Sequence, residues 1–222
     1  MEKIDIPMRR PRPRKIDPAE AAKILATARA YVFKNGVSTL TIDGLARMLN
    51  TNVRKIYDHY SSKLLLVEAV FNAKLDEMDR DLTEALKGDQ TNAGKRLRKV
   101  VDILKHHGRE YSPALFQDIH DYSSALSEWY HEKRSKILRG HLEKVSSECQ
   151  KAGVIDKSIS FNVFFSIYMM LTDGTIIRKI ATEDNQIGLS DFYEQISNLM
   201  LNGVLVPESN PPAKKTKKPQ IG

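Results

Sequence analysis

The stretch Thr41–Lys63, TIDGLARMLNTNVRKIYDHYSSK, decides the fold of the N-terminal part of the chain. It contains two short helical patterns separated by LNTN. Thr41 and Asn52 are favourable N-cap residues for these helices, and Asn50 tolerates the left-handed conformation that a tight turn requires. Two short helices joined by such a turn are the plan of a helix-turn-helix.

In a helix-turn-helix the second helix lies in the major groove of DNA, and its early residues face the base edges. Here Arg54 and Lys55 can donate to guanine O6 and N7, and Val53 can pack on a thymine methyl group. The alternative to DNA binding is that these are simply two further helices of a bundle, with a basic face exposed to solvent. The residues placed to donate to phosphate oxygens are Thr41, Tyr57, His59 and Lys63.

Helical periodicity continues along the chain, and no segment alternates with a period of two residues, so the predicted fold class is all-α. Asp17, Pro18 and Glu20 form an N-terminal start signal for the first helix. Predicted helices cover about 18–34, 42–49, 53–59, 63–86, 95–107, 113–122, 124–152, 159–181 and 190–205. The predicted organisation is a disordered basic arm (1–16), a three-helix DNA-binding domain (17–63), a larger helical ligand-binding and dimerisation domain (64–206) and a disordered Lys-rich tail (207–222).

Charge is distributed unevenly along the chain, whose net charge is +7. Residues 1–15 carry six basic and two acidic side chains, and residues 16–63 carry seven and four. The tail, 214–222, adds four lysines, so the intervening 64–213 must carry −4. A basic end on an acidic body favours a polyanionic partner, double-stranded DNA in this case.

The predicted compartment is a reducing one, the cytoplasm. The single cysteine, Cys149, allows no disulfide framework within the chain, and the Arg- and Pro-rich start lacks the apolar core of a secretory signal. The longest apolar stretch, FNVFFSIYMML at 161–171, is too short to span a bilayer, so no membrane partner is expected.

The segment from Gly36 to Leu66 resembles the DNA-binding domain of the tetracycline-repressor (TetR/AcrR) family of transcriptional regulators. That family's motif ends L-Y-x-H-F-x-S-K-x-x-L, and here the sequence reads IYDHYSSKLLL. With the first helix, the resemblance covers about residues 17–71. The residues that carry it are Gly36, Thr41, Leu45, Ala46, Ile56, Tyr57, His59, Tyr60, Ser62, Lys63 and Leu66.

The resemblance implies a homodimeric bacterial regulator, a repressor in the family's usual manner, that binds a palindromic operator and is released by a small hydrophobic effector. Dimerisation is expected through the helices near 159–181 and 190–205. The family's DNA contacts would fall on Thr41, Asn52, Val53, Lys55, Tyr57, His59 and Lys63, to which Arg54 is added from its position. The family usually has Gly at the place of Asn50 and small residues at Arg54 and Lys55, so its operator sequence cannot be transferred.

Aromatic and methionine side chains of the body are candidates for an effector pocket, namely Phe116, Trp129, Phe165 and Met169. Plain core packing is the alternative for each of them. Five histidines in the body do not match a metal-ligand spacing, and no nucleophile motif or phosphate loop occurs. No enzyme, cofactor or metal site is therefore predicted.

Two further interpretations stay open. Arg10, Arg12 and Arg14 can enter the minor groove as an extended arm, or only add unspecific attraction. The body can bind a protein partner instead of a small molecule, which would make the chain a DNA-associated protein of the same fold.

Overall fold

The computed structural model describes residues 17–87, 92–172 and 188–204. These residues form nine α-helices and no strand, which confirms the predicted all-α class. The helices are α1 (Pro18–Asn35), α2 (Ile42–Met48), α3 (Val53–His59), α4 (Lys63–Lys87), α5 (Ala93–Arg109), α6 (Pro113–Tyr122), α7 (Ser124–Lys151), α8 (Phe161–Leu171) and α9 (Leu189–Val204).

Local capping signals fix the ends of α1. The Asp17 carboxylate accepts a hydrogen bond from the Ala19 N–H at 3.0 Å, and Pro18 occupies the first helical position. Gly36 ends the helix with φ of 88°, and its N–H donates to the Val32 carbonyl at 2.9 Å. A side chain with Cβ is disfavoured at that φ, so glycine suits this C-cap.

The turn between α2 and α3 is a Schellman-type ending centred on Asn50. Asn50 has φ of 50°, its N–H donates to Arg47 O at 3.1 Å, and Thr51 N–H donates to Ala46 O at 2.9 Å. Asparagine takes the left-handed conformation at lower cost than most residues. The departure from the family's usual glycine therefore preserves the turn.

The described helices divide into two compact units. The first comprises the described residues up to Glu77 together with Glu110–Glu132, and the second comprises Met78–Arg109 and the described residues from Lys133 onward. The division differs from the predicted boundary after residue 63 because α6 packs on α1 and joins the N-terminal helices. Both α4 and α7 contribute residues to each unit.

The first unit has a continuous apolar core. Ile24, Leu45 and Ile56 place one side chain each from α1, α2 and α3 at 1% exposure or less. An aromatic cluster extends this core, with ring centroids 5.1 Å apart for Phe33 and Tyr111 and 5.2 Å apart for Phe71 and Tyr130. Burying such side chains stabilises the unit by about 1.5–3 kcal/mol each.

Most residues of the apolar stripe predicted for α4 are buried, but the prediction is wrong for one residue. Val67, Phe71 and Leu75 are buried as the spacing predicts, whereas Leu64 is 44% exposed. Leu64 lies in the first turn, before α4 becomes covered. The spacing also places Lys74 on the buried side of α4, where it is 1% exposed.

In the second unit, α5 approaches α9 closely at Gly108. A Cβ on Gly108 would lie 2.6 Å from Cε1 of Tyr193, so the two helices pack here only because the side chain is absent. Cys149 is fully buried in this unit and its thiol donates to the Ala93 carbonyl at 3.3 Å. Burial raises the pKa of Cys149 to about 11, which makes the thiol unreactive at neutral pH.

Several predicted segments lie outside the described residues. These are the basic arm 1–16, the Lys-rich tail 207–222 and the part of the predicted eighth helix beyond Thr172. Among the helices that are described, none combines the length and apolar character needed to cross a bilayer.

Candidate DNA-binding site

Helix α3 presents a polar, largely basic face to solvent and one apolar anchor to the core. Ile56 is completely buried, whereas Arg54 is exposed, the side chain of Lys55 is 55% exposed and Tyr57 is 43% exposed. Val53 is half-buried at the start of the helix. The predicted base-reading residues are thus on the accessible side of a short helix held by Ile56.

Thr41 and Asn52 cap the two short helices, and each keeps a donor for another acceptor. The Thr41 Oγ accepts from Gly44 N–H at 3.0 Å, and Asn52 Oδ1 accepts from Lys55 N–H at 2.9 Å. Both residues are exposed. The Asn52 amide donors are not needed for the cap, so they suit the predicted DNA contact.

Asn52 offers a test that separates capping from DNA contact. We expect Asn52→Asp to keep the α3 cap, because a carboxylate accepts the same hydrogen bond, but to weaken DNA binding by about 10-fold, because it removes the amide donor and adds a negative charge near phosphate. Asn52→Ala should also destabilise the fold, by about 1 kcal/mol. Thermal unfolding and fluorescence anisotropy measure the two effects. Undiminished DNA binding by Asn52→Asp would show that this side chain only caps α3.

Glu20 of α1 lies beneath the same helix and holds two of the predicted DNA contacts. Its Oε1 is 3.4 Å from Lys55 Nζ, and its Oε2 is 3.2 Å from His59 Nε2. The hydrogen bond from His59 is the main cause that lowers the pKa of Glu20. The reciprocal capping role that the sequence suggests for Glu20 is replaced by contacts between α1 and α3.

Lys55 and His59 differ in their exposure to solvent. Lys55 is solvated enough to exchange Glu20 for DNA, whereas the His59 side chain is only 6% exposed. Tyr60 adds a second link to α1 through its hydroxyl, which donates to the Ala21 carbonyl at 3.3 Å. His59 as placed here orients α3 from below, and its predicted phosphate contact would require the side chain to move outward.

Lys63, at the start of α4, is also engaged within the first unit. Its Nζ donates to the Ser38 carbonyl at 3.3 Å and lies 4.7 Å from the centre of the Tyr122 ring. Burial lowers the pKa of Lys63, and the nearby Asp118 carboxylate opposes that shift. The Asp118 carboxylate also accepts hydrogen bonds from the backbone N–H and the hydroxyl of Ser38. Helix α6 therefore contacts the segment between α1 and α2 and the predicted phosphate ligand Lys63.

The four residues predicted for an effector pocket do not gather in one described cavity. The side chain of Phe116 is outside the description, Trp129 belongs to the first unit, and Phe165 and Met169 belong to the second. Phe165 is buried, with the Arg139 guanidinium 4.4 Å from its ring centre, and Met169 Sδ lies 3.9 Å from Arg134 Nη1.

A groove in the second unit is lined instead by the neighbouring Phe164 and Tyr168, with further residues from α5, α7 and α9. Helix periodicity identifies apolar faces, but it does not show which faces of distant helices meet. Within the described ranges, no group of three or more His, Cys, Asp and Glu side chains is arranged as metal ligands.

Comparison with known proteins finds similarity to transcriptional regulators. The sequence is 24% identical over 196 residues to an uncharacterized HTH-type transcriptional regulator, YvaF, of Bacillus subtilis (strain 168), covering 84% of this chain and 96% of that protein. No family model matches the sequence.

Solved structures share the arrangement at low sequence identity. A transcriptional regulator from Saccharomonospora viridis in complex with choline has a TM-score of 0.68 at 16% identity, over 86% of this chain and 100% of that one. A TetR/AcrR-family regulator from Thermobifida fusca YX-ER1 has a TM-score of 0.60 at 16% identity, over 83% of this chain and 98% of that one. The chain therefore has the fold of the TetR/AcrR-type transcriptional regulators, as the motif between Gly36 and Leu66 predicted.

Proposed function

We propose that this chain is a TetR-family transcriptional regulator that acts as a homodimer, binds a palindromic operator through α3 and is released by a small apolar ligand bound in the second unit. The observation that carries the proposal is the geometry of α3. Its buried Ile56 fixes the helix on the core, while Arg54, Lys55 and Tyr57 face solvent. This is the presentation that a major-groove reader requires.

Each exposed side chain has a distinct proposed role at the DNA. Arg54 and Lys55 donate to guanine O6 and N7, and half-buried Val53 packs on a thymine methyl group. Tyr57, Asn52 and the other polar residues at the helix starts donate to phosphates and fix the register. In the free protein Lys55 forms an ion pair with Glu20, and on binding DNA it exchanges Glu20 for the base edge.

A dimer is supported by an apolar stripe on the surface of α8. Val163, Ile167 and Met170 are 58%, 44% and 55% exposed and follow one another at steps of four and three residues. On α9, Leu199 is 68% exposed. Such residues on neighbouring helices suit a two-fold interface between copies of the chain. Two-fold symmetry places the α3 helices about one DNA turn apart, which predicts a near-palindromic operator.

Ligand control is supported by the groove of the second unit, whose lining is mainly apolar. The similar regulator from Saccharomonospora viridis was solved with a small molecule, choline. A small ligand is therefore preferred over a protein partner as the controlling agent. A ligand that binds better to a dimer with the wrong α3 spacing weakens DNA binding by that difference in affinity.

The decisive experiment is fluorescence anisotropy of the full chain on duplex DNA from the region upstream of its own gene and on a scrambled duplex, over a range of salt concentrations. The proposal predicts about 1,000-fold tighter binding to the first duplex. Equal binding to both, with a steep dependence on salt, would reduce the interaction to charge attraction and contradict specific regulation.

Lys55→Ala should lower the affinity for the specific duplex by about 10-fold while changing scrambled-duplex binding much less, because a base contact of this kind contributes about 1–3 kcal/mol of discrimination. Lys87→Ala, an exposed lysine at the end of α4, is the matched control. If Lys55→Ala weakens both duplexes equally, Lys55 contacts phosphate and does not read the bases.

A further inference from the structure

The groove of the second unit combines an apolar lining with one cation. It lies among α5, α7, α8 and α9, and its empty space, counted out to the open mouth and including solvent there, is about 510 Å³. Its apolar walls include Leu97, Leu104, Leu142, Phe164 and Ile196. Among the described lining residues, Lys105 is the charged one.

Two hydroxyl groups of the lining already donate their hydrogen within the protein. Thr172 Oγ1 donates to the Tyr168 carbonyl at 2.9 Å, and Ser197 Oγ donates to the Tyr193 carbonyl at 2.7 Å. Thr172 Oγ1 also accepts from Arg134 Nη2 at 2.9 Å. These hydroxyls therefore contribute little to holding the polar end of a ligand. The ammonium of Lys105 is the strongest polar group that the groove offers.

Lys105 forms an ion pair with Glu194, and Glu194 also forms an ion pair with Arg109. Its Nζ lies 3.2 and 3.1 Å from the two carboxylate oxygens of Glu194 and 3.2 Å from Asp102. Arg109 Nη2 also donates to Glu194, at 2.7 Å. The Lys105 side chain is 17% exposed, whereas that of Glu194 is 41% exposed. Glu194 can therefore leave Lys105 for Arg109 and solvent without becoming an unpaired buried charge.

We propose that the groove binds a monocarboxylic acid with an apolar chain, whose carboxylate replaces Glu194 on Lys105. This rests on the proposed function, since it names the chemical class of the effector. The chain buries itself against the apolar walls, and the carboxylate meets the partly buried ammonium in a charge-assisted hydrogen bond. An alcohol of equal length gains only the apolar part, and a cationic amphiphile is repelled by Lys105.

The exchange also breaks a link between two helices. Lys105 lies on α5 and Glu194 on α9, and their ion pair ties the helices together. Helix α9 bears the exposed Leu199 of the proposed dimer surface. A ligand carboxylate on Lys105 thus leaves the Arg109–Glu194 ion pair to hold α9 to α5 at the place where the effector binds.

The test is isothermal titration calorimetry of the full chain, without DNA, with decanoate, decan-1-ol and decyltrimethylammonium below their aggregation concentrations. We expect decanoate to bind about 10-fold more tightly than decanol, as one additional charge pairing would give. Lys105→Met should reduce decanoate affinity to the level of the alcohol. Lys99→Met, an exposed lysine on the same helix, should change nothing. Glu194→Gln should raise decanoate affinity several-fold, because the competing carboxylate is gone.

Equal binding of decanoate and decanol to the wild-type chain would overturn the proposal, and this comparison requires no variant to fold. Preferential binding of decyltrimethylammonium would overturn the proposal as well. So would a result in which none of the three compounds binds. The calorimetry contains no DNA, so the two proposals can fail separately. Loss of operator specificity in the anisotropy experiment would contradict the proposed regulator but not ligand binding in the groove. Equal binding of decanoate and decanol would contradict the proposed ligand but not operator binding.

Discussion

Replacing Ile167 by glutamate is expected to separate the proposed dimer and to lower operator affinity by about 100-fold or more. Ile167 is 44% exposed at the centre of the α8 stripe, between Val163 and Met170. A carboxylate buried at a two-fold interface meets its own symmetry mate, so the change introduces two like charges where apolar surface should be covered. A monomer reads one half-site and loses the gain of about 10²–10⁴ that linked binding provides.

Sedimentation velocity gives the oligomeric state of Ile167→Glu, and anisotropy on the operator gives its affinity. Ala125→Glu is the matched control, because Ala125 is also exposed on a helix but belongs to the first unit and not to α8. Circular dichroism should give the same helical content for both variants. A variant that remains dimeric and binds the operator normally would move the dimer interface away from α8.

The parts of the fold that depend on neighbouring residues could be predicted from the sequence. Asp17 caps α1, Asn50 takes φ of 50° and Gly153 takes φ of 71° at the end of α7, because each conformation is set by the residue itself and its next few neighbours. The accessible face of α3 follows for the same reason, since Ile56 marks the buried side and fixes where Lys55 and Tyr57 point.

Contacts between residues distant in the sequence could not be predicted in this way. His59 pairs with Glu20 across 39 residues, and the polar site on Ser38 is filled by Asp118 from α6, 80 residues away. The position of His59 in the motif predicts a phosphate donor, but in the structure His59 is buried and paired with Glu20 of α1. The groove was missed because it depends on Tyr193 of α9 meeting Gly108 of α5, which no periodicity reveals.

The same limitation hid an ion-pair cluster whose loss should have the largest effect on stability. Lys74 Nζ lies 2.6 Å from Glu110 Oε1, and Arg29 Nη2 lies 2.5 Å from Glu77 Oε2 and 3.3 Å from Glu110 Oε2. Lys74 is 1% exposed, so its ammonium depends on these carboxylates. The cluster joins α1 and α4 to the segment that leads into α6, and Phe33 of α1 lies 5.7 Å from the Arg29 guanidinium.

We expect Glu110→Ala to lower the free energy of unfolding by about 3 kcal/mol, because it removes the carboxylate closest to a buried ammonium. Lys74→Met should change the stability by less than about 1 kcal/mol, since it removes the buried charge itself and keeps the apolar stem. Lys87→Met, at an exposed end of α4, controls for loss of a lysine. Urea unfolding at neutral pH measures all three, and equal losses from Glu110→Ala and Lys74→Met would contradict the assigned charge pairing.

The pH dependence provides an independent check on Lys74. Burial, which is the largest cause, lowers the pKa of Lys74 below its ordinary value of 10.5, although Glu110 opposes the shift. The folded chain therefore releases this proton at a lower pH than the unfolded chain does. Between the folded-state pKa and 10.5 the unfolded state binds more protons, so the Lys74 contribution to the free energy of unfolding rises with pH. Other alkaline groups act equally in both proteins, so wild type should gain stability relative to Lys74→Met as the pH rises through this range. A constant difference would mean that Lys74 titrates as an ordinary solvated lysine, which its burial against Glu110 does not allow.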